Sequence, residues 1–386
     1  MNKFETENKI SDVKKFYLIS AAGMPNYGDD MLTRGWINFL RIKYPKCIIY
    51  LDALDPIVAM SLYDNVNCVN YLWQLAQALG HDGDIASKFT DEYLIPKRER
   101  LMTEVFNEVE SIHLVGGGYI NELWDANLRL IELVSYFASK HEVPAYATGL
   151  GLQPLSSENA EKQIQFIDKF TIFDVRDPAS YEVLNQFLPN KISFIGDDYF
   201  CFPVSDVVKL VESTMPILRL CIHNELRDEN NDDELFLVEI CRVIEGFIEK
   251  YPSSPIVFYE FRPGSDGVFY MNIKNRFPQV EMVFFEEIWK NGLFFSVKDY
   301  FVSTRFHFQL IVSSLGLSGL SYYWSDYYKN KFESLCDVSN WTAYQLNNDR
   351  VLDIDDFLSE PVILSRTDFR RVQLEKTQLA NLIYQG

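Results

Sequence analysis

The chain has 386 residues, 47% hydrophobic and 24% charged, which suits a globular protein too long for one ordinary core, so two domains are expected. Its 55 acidic and 36 basic residues leave a net charge of −19, which argues against general nucleic-acid or anionic-membrane binding, since both need a basic surface. An anionic substrate would require a local cluster of Arg, Lys or helix N-termini inside this acidic shell.

The opening segment MNKFETENKISDVKK is polar and carries no hydrophobic signal stretch. No apolar run approaches the roughly 18 residues of a spanning helix, so a cytoplasmic protein is expected. The six cysteines are widely spaced without a CxxC, which reads as reduced, mostly buried thiols.

The first half alternates strand and helix. A strand over 16–21 leads to a helical pattern over 31–42, and a strand over 47–51 ends in Asp52. Helical segments follow over 67–79 and around 97–110. SIHLVGGGYINELW is a strand and three glycines opening a long amphipathic helix, and VPAYATGLGLQP is a strand ending in glycines. KFTIFDVRDPASYEVLNQFL is a strand, a charged corner and a helix; KISFIGDDYF is a sixth strand ending in Asp197 and Asp198. These strands are apolar on both faces and separated by helices, the pattern of a mostly parallel sheet between helical layers. Ligands bind such sheets beyond the carboxyl ends of the strands, and every glycine-rich or charged corner falls at that edge.

After a break near CFPVSDVVKLVESTMP a second alternation begins with ILRLCIHNE. The acidic stretch 225–234 reads as a solvated helix cap and loop. A helix over 235–249, strands in PIVFYEF, VEMVFF and YFVS, a helix starting near 304 and the strand GLSYY follow. Closing helices are expected over 327–335 and 369–384, the last crossing back onto the first domain. The predicted fold is α/β, with two Rossmann-like domains, 1–205 and 206–360, and a helix in 361–386.

GMPNYGDD, at 23–30, admits two readings. Either Gly23 and Gly28 shape a turn that Asp29 or Asp30 caps, or the turn's N–H groups receive an anion while an acid handles a hydroxyl. Neither GxGxxG nor GK[ST] is present, so it is no dinucleotide or P-loop motif. A bound phosphate would repel Asp29, which better suits a sugar hydroxyl; Asp30 reads as a capping or surface residue. The glycines at 116–118, and Gly149 with Gly151, permit close approach of backbone to a loop or a ligand. Arg176 and Asp177 form a structural ion pair, or Arg176 faces the cleft.

STRFHFQLIVSSLG is the strongest single site. Arg305 and His307 sit where a strand gives way to an apolar helix, an arrangement suited to phosphate or carboxylate. His223 is a second candidate. In YYWSDYYKNKF the aromatic residues either form an acceptor surface or pack, and Lys329 and Lys331 face either the cleft or solvent. Metal-ligand spacings, GxSxG and HExxH are absent, which sets aside metal and serine hydrolases.

In order, GMPNYGDD, VGGGYIN, ATGLGLQP, DVRDPAS, FIGDD and STRFHFQLIVSSLG followed by GLSYY resemble the polysaccharide pyruvyl transferase family, over roughly residues 16–331. The G-x-x-N-x-G-D pattern is met by Gly23, Asn26, Gly28 and Asp29, R-D-x-x-S by Arg176, Asp177 and Ser180, and the late R-x-H by Arg305 and His307. Two positions depart, Phe306 where Leu is usual and Ser318 where Pro is common, as in a diverged subgroup. The resemblance implies a GT-B-like architecture, two Rossmann-like domains facing across a cleft with 1–205 on the acceptor side and 206–360 on the phosphoenolpyruvate side. It also implies transfer of the enolpyruvyl group of phosphoenolpyruvate onto a sugar as a ketal, in polysaccharide or exopolysaccharide biosynthesis. It implies Arg305 and His307 at the phosphoenolpyruvate site and in catalysis. The chemistry of ketal formation adds the expectation that His307 is the general acid or phosphate-stabilising group and Asp29 the base or orienter for an acceptor hydroxyl. Arg305, Arg176, Asn26, Gly28, Gly117, Gly118 and Lys329 are the expected substrate-binding residues, with no cofactor and no metal. The acceptor would be a saccharide or a lipid-linked saccharide, and a homodimer is the default assembly. The alternatives are a GT-B-like sugar-nucleotide glycosyltransferase gripping a ribose through Glu260, Glu286 or Glu287, and a non-catalytic glycan-pathway protein keeping the fold.

Overall fold

The computed structural model describes residues 13–79, 96–223, 233–336, 339, 341–346, 352–359 and 367–385. Seven parallel strands form the first sheet: Lys15–Ser20 (β1), Ile48–Ala53 (β2), Asn67–Val69 (β3), Ile112–Leu114 (β4), Ala145–Leu150 (β5), Ile172–Val175 (β6) and Ile192–Phe194 (β7). Their order, β3-β2-β1-β4-β5-β6-β7, reverses direction at β1 and β4, where a doubly wound sheet opens a crevice at its carboxyl edge. Val208–Leu210 (β8) pairs outside the main sheets with Leu293–Phe295 (β12). The second sheet is also parallel, in the order β11-β10-β9-β13-β14-β15. It comprises Leu218–Cys221 (β9), Ile256–Tyr259 (β10), Glu281–Val283 (β11), Tyr300–Ser303 (β13), Gly319–Tyr323 (β14) and Trp341–Gln345 (β15).

The central strands are mostly apolar, with buried exceptions such as His113 and Arg219, because helices cover both faces of each sheet. β1 shows the pattern, with Tyr17, Leu18 and Ile19 all fully buried. Helix Tyr27–Lys43 follows from its sequence: Asp29 and Asp30 in its first turn and Arg41 and Lys43 in its last complement the helix dipole. Met31, Leu32, Trp36, Ile37 and Leu40 make its buried stripe.

The helix expected over 67–79 is divided. Asn67–Val69 is the edge strand β3 alongside Tyr50–Asp52, and the helix runs only over Leu72–Leu79. Three residues are too few to show alternation, and the Asp52 carboxylate accepts from Tyr71 N–H at 3.0 Å and Leu72 N–H at 2.6 Å, fixing where the helix begins. The structure also adds β15, the β8–β12 ladder and helices Asp266–Arg276 and Phe285–Asn291. Tyr322, Tyr323 and Trp324 pack into the second core, so that part of the aromatic run is packing. The residues 225–232 of the acidic stretch, and the expected boundary at 360/361, lie outside the described residues.

The two domains meet through side chains and backbone. Tyr27 N–H donates to the Phe261 carbonyl at 2.8 Å, and Tyr199 and Ser314 hydroxyls lie 2.9 Å apart. Arg34 donates to the Trp289 carbonyl at 2.8 Å while its guanidinium covers the Trp289 ring at 3.9 Å. Helix Thr367–Ile383 returns to the first domain, where Lys376 meets Asp174 and Asp198 and Tyr384 meets His113. Among the described residues no helix is long and apolar enough to cross a membrane, and all six cysteines are free.

Candidate active site

The carboxyl edges of the two sheets face one cavity of about 630 Å³. Asn26, Asp29, Gly118 and Arg176 reach it from the first domain; Arg262, Arg305, His307 and Lys331 reach it from the second. Four formal cations on one cavity of a chain with net charge −19 form the local basic cluster that an anionic ligand requires.

Arg176 stands at the end of β6. Its expected partner, Asp177, instead caps helix Pro178–Asn185 by accepting from Ser180 N–H at 2.8 Å. Arg176 pairs with Asp197 at 3.2 Å, both buried. Asp197 also lies 3.5 Å from His307 Nε2, an ion-pair distance that links the domains. Burial pushes the Asp197 carboxyl up, but His307 and Arg176 outweigh it and hold it well below the usual range. The Arg176 guanidinium lies 4.5 Å from the centre of the Phe306 ring, so the residue that departs from the family's Leu forms a face for this arginine. Asp197 was legible only as the end of FIGDD, and nothing local connects it to residues 21 and 110 positions away.

Arg305 is the N-cap of helix Phe306–Ser314, with its N–H donating to Ser303 Oγ at 2.8 Å. Its guanidinium donates to Asp266, whose other oxygen accepts the N–H groups of Phe261 at 2.8 Å and Arg262 at 2.9 Å. This fixes Arg305 in place from behind. His223 also lines the cavity; its Nε2 lies 2.7 Å from the Thr304 carbonyl and therefore carries the hydrogen. Burial, with Arg305 adding to it, pushes His223 well below its ordinary pKa. Lys331 lines the cavity, whereas Lys329 is half-buried away from it. Burial and then Arg176 push the Lys331 ammonium well down, against the opposite pull of Asp29 and Asp177.

GMPNYGDD divides its labour. Asn26 Nδ2 donates to Asp29 Oδ2 at 2.8 Å, aligning a half-buried carboxylate on the cavity wall. Asp30 is fully buried rather than on the surface. It accepts from Asn26 N–H at 3.0 Å and Tyr63 Oη at 2.8 Å, and burial raises it to about 7. Gly28 and Gly117 lie outside the lining, and Gly118 lies on it. A Cβ on Gly28 would stand 1.9 Å from His307 Nδ1, so glycine makes room for the imidazole. A Cβ on Gly118 would stand 2.7 Å from Arg176 Nη2 and 3.1 Å from Lys331 Nζ. Gly28→Ala is expected to push the His307 ring aside at an overpacking cost of about 1–3 kcal/mol. A lowered melting midpoint and shifted His307 imidazole NMR signals would report it; an unchanged spectrum would contradict the contact. Among the described residues no group of three or more His, Cys, Asp or Glu could hold a metal ion.

No curated protein sequence matches the chain. Solved structures with the same fold include UDP-GlcNAc 2-epimerase from Methanocaldococcus jannaschii, 11% identical with TM-score 0.56, covering 97% of this chain and 100% of that one. The Neisseria meningitidis UDP-GlcNAc 2-epimerase bound to UDP-GlcNAc is 10% identical with TM-score 0.53, covering 96% and 94% respectively. At these identities the likeness is one of architecture, the paired α/β domains of GT-B-like enzymes. The sequence model for polysaccharide pyruvyl transferases matches residues 26–325, from Asn26 on the first-domain wall past Arg305 and His307. The chain therefore belongs to the polysaccharide pyruvyl transferase family, a family of transferase enzymes.

Proposed function

We propose that this cavity binds phosphoenolpyruvate and that the enzyme transfers its three-carbon skeleton to a sugar diol as a pyruvate ketal. The observation carrying this reading is the convergence of Arg176, Arg262, Arg305 and Lys331 beside His307. Phosphoenolpyruvate presents a phosphate and a carboxylate, and two guanidinium groups already oriented by Asp197 and Asp266 can each fork onto a pair of oxygens of such anions.

In this reading His307 delivers a proton to the methylene carbon, and a sugar hydroxyl adds to the adjacent carbon as Asp29 takes its proton. A second hydroxyl then closes the ketal, the C–O bond to phosphate breaks, and that hydroxyl's proton leaves with inorganic phosphate. Asp197 orients the imidazole from the first domain, so the catalytic group is aligned only when the domains meet. Exclusion of water by that meeting protects the cationic carbon from hydrolysis.

Phosphate release from phosphoenolpyruvate with a saccharide acceptor tests the proposal, and saturable binding of a nucleotide sugar with none of phosphoenolpyruvate would overturn it. That second reading, a sugar-nucleotide enzyme, draws support from the fold shared with epimerases of UDP-GlcNAc. Its ribose grip finds less: Glu260 accepts from Phe285 N–H at 3.2 Å and lies outside the cavity lining.

The lowered Lys331 pKa gives a further expectation. Above that pKa the free enzyme holds Lys331 neutral, and an arriving anion raises it again, so binding takes up a proton. Calorimetry in buffers of different ionisation enthalpy is expected to show uptake approaching one proton per phosphoenolpyruvate in that range. Lys331→Met should abolish the uptake; its persistence would assign the proton elsewhere.

A further inference from the structure

The cavity is chemically two-ended. Arg176, Arg262, Arg305 and Lys331 line one part, while Trp73, Gln77, Tyr119, Trp124 and Asn127, all from the first domain, bring no charge. The short loop Gly117–Gly118–Tyr119 joins the two. A Cβ on Gly118 would meet Arg176 and Lys331, and one on Gly117 would meet Asp29 Oδ1 at 3.1 Å and the Tyr119 ring at 2.7 Å. Tyr119 in turn packs on Trp73 with ring centroids 5.6 Å apart. Asp29 thus stands where the cationic part gives way to the neutral one.

The neutral part is built on fixed supports. Trp73 and Gln77 are four residues apart on helix Leu72–Leu79 and share a face. Trp73 is buried and donates from Nε1 to the Ser20 carbonyl at 2.9 Å. Trp124 ends the 3-10 turn Glu122–Trp124, and its side chain lines the cavity while remaining 39% exposed. Asn127, one turn later, donates from Nδ2 to the Tyr119 carbonyl at 2.7 Å, which leaves Oδ1 as the group able to accept from a ligand hydroxyl.

We infer that this part of the cleft is the acceptor subsite, holding an uncharged hexopyranose ring against the Trp124 indole with a hydroxyl on Asn127 Oδ1. An exposed indole and two carboxamides lining the same cavity suit a ring that is apolar on its C–H face and polar at its rim. The positive C–H edge of the sugar meets the negative face of the indole. A lipid chain would leave the amides without partners, and the described residues of this part offer a charged sugar no counterion. The ring's outward hydroxyls then lie toward Asp29 and the cationic part. The acceptor role rests on the pyruvyl-transfer reading; the binding of the ring does not.

The test uses the full chain with methyl glycosides of glucose, galactose, mannose and N-acetylglucosamine, read by saturation-transfer NMR, and phosphoenolpyruvate, read by calorimetry. At least one glycoside is expected to receive saturation at its ring C–H protons. Trp124→Ala should weaken that glycoside about tenfold, and Trp124→Phe should retain most of its binding. Phosphoenolpyruvate affinity should change less than twofold in both variants, which also shows that they are folded. Absence of saturation for all four glycosides, or saturation unchanged in Trp124→Ala, overturns the subsite. Glycoside binding that depends on Trp124 without any binding of phosphoenolpyruvate would leave the subsite standing and remove the donor reading instead.

Discussion

Replacing Lys376 with Met is expected to destabilise the protein by about 3–5 kcal/mol, the cost of stripping the partner from buried charge. Lys376 has no solvent exposure, and its ammonium lies 2.5 Å from Asp174 Oδ2 and 3.0 Å from Asp198 Oδ1. Burial alone would lower its pKa, but the two carboxylates outweigh it and raise the value well above the ordinary lysine range. Its contribution is therefore fully present below the ordinary lysine pKa, 10.5, and is lost only as pH rises through the elevated folded value. The two acids hold the glycine corners. Asp174 accepts from Gly149 N–H at 3.1 Å; Asp198 accepts from Gly116 N–H at 3.0 Å, Thr148 Oγ1 at 2.6 Å and Trp36 Nε1 at 2.8 Å. Without Lys376 these carboxylates face each other unpaired. Denaturant unfolding of Lys376→Met should show a deficit that shrinks as pH falls and the acids take up protons. Adding Asp174→Asn should recover part of the loss. A deficit independent of pH and of the second change would mean that packing, not charge, holds the terminal helix.

His307→Ala is expected to reduce kcat by about 10²–10⁴-fold, the range for loss of a positioned general acid. On the pyruvyl-transfer proposal Arg305→Ala should raise KM for phosphoenolpyruvate as well, since Arg305 would bind charge present before and during the reaction. Arg305→Ala also leaves the buried Asp266 carboxylate without its guanidinium, so the loss includes the cost of an unpaired charge behind the site. Arg305→Lys is the informative companion: it keeps the charge but not the planar fork, and should restore only part of the affinity. Steady-state phosphate release across a pH series checks all three. If His307→Ala kept wild-type kcat, the proton would have to come from another group, and Lys331 would be the next to substitute.

Much of the fold was legible in the sequence because its signals are local. Apolar strands separated by helices report a parallel sheet from within each segment, and glycines and charges at strand ends report which edge the ligand meets. Arg305 and His307 could be placed on the cavity wall because both lie close to a strand-to-helix junction at the carboxyl edge of the sheet. Short elements resisted the same logic. β3 has three residues and takes its identity from its partner β2 rather than from any period of its own.

What stayed hidden depended on distance along the chain or on rotation about a helix. Lys329 and Lys331 are indistinguishable by composition, but two residues of helix turn side chains by roughly 200°, so packing alone decides which faces the cavity. Asp197 binds Arg176 and His307 from a different strand end and across the domain interface. In GMPNYGDD the residues alone show a turn, a helix start and an acid at the corner. The packing of the domains is what buries Asp30 beneath that turn and sets the His307 ring where Gly28 must stay small. Local chemistry sets what a residue is able to do; which partner it meets is set by the docking of two sheets, a property of no single segment.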